Sequence, residues 1–250
     1  MLNKVPQITV FFWVIKVLAT TVGETAADFL NATLGLGLGG TSAVMGVLLA
    51  AALVWQFRTR RYVPGIYWVT VVLISVVGTL ITDSLINVVG VTLPVTTAVF
   101  AVALAITFAV WYASERTLSI HSIVTTRREG FYWLAILFTF ALGTAAGDLI
   151  AEQLAVGYPL AVLLFAGAIA VVGLAYRFGA NAVATFWIAY ILTRPLGASL
   201  GDLLSQDQVD GGLGLGTVIT SIIFLAVIAI LVTFLTRTRR DALDVPTNQV

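Results

Sequence analysis

Cysteine is absent from the 250 residues, and histidine occurs once, as His121. The first absence excludes disulfides, thiolate metal sites and thiol nucleophiles. The second excludes a bis-histidine haem or a histidine-built zinc site within one chain. Charge is scarce as well. Asp, Glu, Lys and Arg make up 10% of the residues, where soluble proteins carry about 25%. The net charge is +1, so bulk charge gives no reason to expect a nucleic-acid partner. No nucleophile–base pair is recognisable, and the chain is not expected to be an enzyme or to need a cofactor.

What is abundant is apolar. Hydrophobic residues make up 60% of the chain, more than a soluble core of this size could hide, so the solvent is expected to be the lipid bilayer. Eight apolar segments follow one another. They cover about 8–30, 42–57 and 64–86, a fourth ending near 113, then 130–150, a sixth ending near 176, then 180–204 and an eighth ending near 235. Each is close to the ~20 residues that cross a ~30 Å hydrocarbon layer, and only helices satisfy their own backbone there. A signal-peptide reading of the first segment fails, because cleavage would destroy the first copy of a repeat.

That repeat is plainest in WLAILFTFALGTAAGD, where Trp133 is followed after nine residues by Gly143 and after four more by Asp148. The same frame recurs as Trp13, Gly23 and Asp28, as Trp68, Gly78 and Asp83, and as Trp187, Gly197 and Asp202. Two segments separate successive copies, so the copies run parallel. The repeats span 8–61, 62–116, 127–177 and 180–240, with a polar connector, 114–129, between the halves. Lys4, Arg58, Arg60, Arg61, Arg116, Arg127, Arg128, Arg177, Arg237, Arg239 and Arg240 all fall on one side. The opposite loops hold Glu152, Asp207 and Asp210 instead. The positive-inside rule then places both termini in the cytoplasm and each Trp at that interface, as an anchor. The expected fold is all-α: a polytopic membrane protein of eight transmembrane helices, built from four parallel two-helix repeats.

Each motif Asp lies ~22 Å beyond its Trp at ~1.5 Å per residue. Asp28, Asp83, Asp148 and Asp202 therefore share one depth. They sit near helix C-termini, where the helix dipole disfavours acids, and ionisable groups at membrane depth usually line a pathway. Carboxylate oxygens suit hard ions, so the four form a candidate cation ring. The first segment adds Lys16, Thr20, Glu24 and Asp28 at spacings of four, with Thr21 beside them. Lys16 and Glu24 are ~12 Å apart along the axis, too far to pair. Each needs a partner on another helix or water. In the seventh segment Arg194 precedes Pro195. Proline removes a helical hydrogen bond, and an interrupted helix with a buried cation beside it suits a hinge. A packing kink, a structural ion network and simple helix-end markers are the plainer alternatives for these three features.

The residues KVLATTVGETAADFL, LGTAAGDLIAEQLAVGYPL and LGASLGDLL, together with Trp13, Trp68, Trp133 and Trp187, resemble a bacterial family of uncharacterised membrane-anchored proteins with a four-fold repeat of unknown function. The resemblance covers essentially the whole chain. It implies the topology above and a bacterial inner membrane, and it lends no activity. Repeat two departs most, with Val71 where repeat one has Lys16.

The functional expectation is a transport protein for a small cation, a divalent metal by preference, exchanged for protons. Asp28, Asp83, Asp148 and Asp202 would bind it, Glu24 would handle protons, and Thr20 and Thr21 would add neutral oxygens. Lys16 and Arg194 would act as tethered counter-ions. The competing expectation is a non-transporting scaffold or sensor working through its cytoplasmic face. Oligomeric state is not legible.

Overall fold

Lipid offers no hydrogen bonds, so the chain satisfies its backbone within helices. The computed structural model describes residues 3–33 and 37–241. Among them are eight long helices and no strand: α1 (Val10–Thr33), α2 (Gly37–Arg58), α3 (Pro64–Asp83), α4 (Leu93–Glu115), α5 (Thr126–Asp148), α6 (Tyr158–Arg177), α7 (Ala182–Ser205) and α8 (Thr217–Thr238). All eight are long and apolar enough to cross a membrane. The chain is a multi-pass membrane protein. Proline opens α3, α4 and α6, where its missing N–H costs nothing. The side chains of Thr125 and Asn181 cap α5 and α7 by accepting from backbone N–H groups of the first turn.

Three boundaries differ from expectation. First, α2 starts at Gly37 rather than near Ser42, so it takes in Gly37, Gly39 and Gly40; residues 34–36 lie outside the described residues. Second, α5 starts at Thr126, which shortens the connector to residues 116–125 around a 3-10 turn at Ile120–Ser122. The Thr125 cap explains this early start. Third, α3 and α5 do not end as plain α-helices. Each widens into a π-helical turn directly after its motif Asp, at Ser84–Val88 and Leu149–Gln153.

The first helices of the four repeats, α1, α3, α5 and α7, form a closed inner ring in that order, with α7 returning to α1. Each second helix packs mainly on the inner helix of the next repeat: α2 on α3, α4 on α5, α6 on α7, and α8 back on α1. Half or more of each inner span is buried, against fewer than a quarter of each outer span.

The frame glycines close the ring. A methyl group on Gly23 would clash with Ser75, on Gly78 with Phe140, on Gly143 with Arg194, and on Gly197 with Thr20. Each partner stands seven residues after the Trp of the following repeat. One rule of contact is thus applied four times around a circle, and bare backbone lets neighbouring helices approach closely.

Candidate functional site

The frame tryptophans do not anchor to lipid. Trp68, Trp133 and Trp187 are 1%, 4% and 5% exposed, and Trp13 is half-buried. In every repeat an aromatic residue precedes the Trp: Phe12, Tyr67, Tyr132 and Phe186. Each meets the Trp of the next inner helix around the ring. Ring centroids are 5.7 Å apart for Phe12–Trp68, 5.5 Å for Tyr67–Trp133, 6.2 Å for Tyr132–Trp187 and 5.7 Å for Phe186–Trp13. Such ring pairs contribute beyond their buried area. This circuit closes the bundle at its tryptophan end, and Tyr67 and Tyr132 add a hydroxyl contact of 2.5 Å across it. The residue that fits an interfacial anchor is Trp55, outside the frame and 67% exposed near Arg58.

Below the circuit the N-terminal segment is tied down. Lys4 Nζ donates to Glu129 Oε2 at 2.6 Å and to the Phe57 carbonyl at 3.0 Å, and the Gln7 N–H donates to the Asp241 carbonyl at 2.9 Å. Tyr62 donates its hydroxyl to Asp241 Oδ2 at 2.5 Å. Burial pushes the Asp241 carboxyl above its ordinary range, and burial followed by the Asp241 charge pushes the Tyr62 phenol up. A cavity of about 690 Å³ lies at this end between α6, α7 and the connector, lined by Trp13, Phe186 and His121 among others. None of the frame aspartates lines it.

Toward the aspartate end, all four inner helices meet at one guanidinium. The positions eleven after each Trp are Glu24, Thr79, Thr144 and Ala198. Arg194 stands one turn earlier on α7, and the small Ala198 leaves it room to enter the layer. Arg194 Nη2 donates to Glu24 Oε2 at 2.8 Å, to Thr144 Oγ1 at 2.6 Å and to Thr79 Oγ1. Thr79 Oγ1 donates in turn to Glu24 Oε2 at 3.3 Å. The Arg194–Glu24 pair is buried on both sides. A charge pair at this depth holds only where further hydrogen bonds satisfy it, and the two threonines supply them. The sequence carries their signal, since both stand in register with Glu24.

The Thr20 carbonyl accepts from Arg194 Nη1 at 3.5 Å, but the hydroxyls of Thr20 and Thr21 do not join this group. Their hydroxyls donate to the Val17 carbonyl of their own helix at 2.6 and 3.1 Å. Such back-bonding is the ordinary behaviour of threonine inside a helix. Pro195 does not interrupt α7, which runs unbroken from Ala182 to Ser205. Its ring packs on the bare backbones of Gly143 and Gly147, so the residue serves helix contact rather than a break. Lys16 meets no acid. Its Nζ lies 4.2 Å from the ring centroids of Phe140 and Tyr190.

One turn beyond Arg194, three acids converge. Glu24, Asp28 and Asp202 each offer a carboxylate oxygen, and these oxygens lie within 4.8 Å of one another. Glu24 and Asp202 are buried and Asp28 is half-buried. Asp83 and Asp148, also half-buried, are not in this group. The difference follows the helix ends. Asp28 and Asp202 are continued by α-helix, whereas Asp83 and Asp148 each stand immediately before a π turn. Of the four aspartates in the expected ring, Asp28 and Asp202 thus join Glu24 in a close cluster of one Glu and two Asp. Three carboxylates beside one guanidinium offer oxygen ligands of the kind that suit hard divalent cations.

Comparison with known proteins supplies the family. The model of the Repeat of Unknown Function (DUF347) matches residues 11–62, 66–117, 131–180 and 185–241. The chain belongs to that family and carries four copies of its repeat. No curated protein and no solved structure matches it.

Proposed function

We propose that this four-repeat membrane protein transports a small hard cation, a divalent metal by preference, through the axis of its inner ring. The observation that carries the reading is the convergence of Glu24, Asp28 and Asp202 beside the buried Arg194. Arg194 acts as a tethered counter-ion. It neutralises Glu24 while the site is empty and releases it when a cation arrives, and proton exchange on Glu24 balances the charge. The eleven Lys and Arg residues beyond the aromatic circuit favour a cytoplasmic tryptophan end. On that orientation the acids face outward and the circuit closes the inner side. A bacterial inner membrane is the compartment proposed.

The test is thermal unfolding of the purified protein against a panel of divalent cations, followed by flux into proteoliposomes. A cation that binds only the folded state raises the melting temperature by mass action. The expected result is a saturable shift for one cation, lost in Asp28→Asn and Asp202→Asn and kept in Asp83→Asn, with flux following the same pattern. A saturable shift without flux favours the sensor reading. No shift and no flux favour the scaffold reading, which the existing Arg194–Glu24 ion pair also supports.

A further inference from the structure

Between the aromatic circuit and the Arg194 knot lies a layer that the cation reading does not use. Lys16 extends from α1 to the ring of Phe140 on α5, the helix opposite it in the ring, so its ammonium stands on the axis. It is fully buried and has no hydrogen-bond partner. Arg194 stands over the same Phe140 ring from its other contacts, with Cζ 5.7 Å from the centroid. Its Nε–H is buried and likewise has no partner.

The rest of the layer offers Lys16 Nζ and Arg194 Nε no partner. The positions three and seven after each Trp are Lys16, Val71, Ile136 and Tyr190, then Thr20, Ser75, Phe140 and Arg194. No carboxylate is among them. The Thr20 hydroxyl donates to the carbonyls of Val17 and Thr193, the Thr20 carbonyl accepts from Arg194 Nη1 at 3.5 Å, and the buried hydroxyls of Tyr190 and Ser75 have no partner among the described residues. The unsatisfied groups include two charged donors, and the cluster contains no competing acid.

Ring faces return less to a desolvated cation than burying it costs. An unsatisfied buried donor points to an unseen partner, and one anion would satisfy both donors at once. The two layers are separated by ~6 Å of helix rise and walled by Phe140 and Tyr190. A spherical anion accepts from any direction and can meet donors on both layers at once.

We propose that the axis holds a chloride-sized anion between Lys16 Nζ and Arg194 Nε. The anion fastens the middle of the ring beneath the acidic cluster. It offsets the buried positive charge and leaves the guanidinium free to face Glu24. This site shares Arg194 with the cation reading but uses its Nε rather than the Nη2 that faces Glu24.

The test titrates sodium chloride and sodium bromide against sodium gluconate at constant ionic strength and follows thermal unfolding. Wild-type protein is expected to show a saturable rise of several degrees with either halide. Lys16→Met should abolish the rise, and Lys16→Arg should retain it. Asp28→Asn should also retain it, which separates this site from the cation site. Bromide soaked into crystals of wild-type protein should give an anomalous peak within contact distance of Lys16 Nζ. That measurement decides the matter even if Lys16→Met does not fold. A melting temperature indifferent to halide, an equal rise in Lys16→Met, or a bromide map without that peak would each overturn the proposal.

Discussion

Gly78→Ala is the sharpest probe of the cyclic packing. The added methyl would lie 2.7 Å from Phe140 Cβ, 3.2 Å from the Ala141 nitrogen and 3.3 Å from the Phe140 carbonyl carbon. The last two atoms are backbone, so no rotamer change relieves the contact; α3 and α5 must move apart. Overpacking of this kind costs about 1–3 kcal/mol. At roughly 2–4 °C per kcal/mol for a chain of this size, the melting temperature should fall by about 2–12 °C. Gly167 on α6 supplies the control, because a methyl there meets nothing within 4 Å. Gly167→Ala keeps a lipid-facing helix position and gains up to about 1 kcal/mol of helix propensity. The assay is thermal unfolding of both variants in one detergent. A Gly78→Ala protein as stable as wild type, or a Gly167→Ala protein destabilised to the same degree, would refute the ring of close contacts.

Arg194→Met and Glu24→Gln should each destabilise the protein by about 3–5 kcal/mol, because each leaves a buried charge unpaired. The double variant should recover part of that loss, and denaturant unfolding reads all three; single variants costing under ~1 kcal/mol would count against the knot. At the tryptophan end, the folded state holds the Asp241 proton more tightly than the unfolded chain does. The contribution of Asp241 is therefore full below the ordinary carboxylate value and is lost as pH rises through the raised one. Tyr62 behaves in the same sense above its ordinary value of 10.0. Subtracting the stability–pH curve of Asp241→Asn from that of wild type should expose a falling slope on the acid side. Tyr62→Phe should do so on the alkaline side, and flat difference curves would contradict both assignments.

The axial coordinate of this protein is legible in its sequence. The Trp, Gly and Asp spacing places four layers at defined heights, because helical rise is nearly constant. Angular position is not legible in the same way, since it depends on which helices become neighbours. Spacing alone made Asp83 and Asp148 equal to Asp28 and Asp202. Asp83 and Asp148 are each followed by a π turn, and no local pattern announces those turns. Interfacial Trp is common, which favours a lipid placement of the tryptophans; the aromatic partner in the preceding repeat, which turns them inward, lies more than fifty residues away. Thr79 and Thr144 were overlooked for a plainer reason. A threonine in an apolar helix usually satisfies itself, and only the arrival of Arg194 from a different layer gives these two a role.

The stepwise packing of outer helices has a consequence for biosynthesis. The side of α1 that α8 covers has to wait until the final span has emerged, because α8 is its partner. α1 and α8, far apart in the chain, are thus joined. Until α7 has emerged the half-built bundle has an open seam at α1, with Arg194 not yet seated against Glu24. Insertion can proceed span by span, yet assembly cannot be completed that way. The two ends of the described chain also meet, through Gln7 and Asp241. A gene opened between two repeats and joined at its former termini would encode the same circle read from a different starting point.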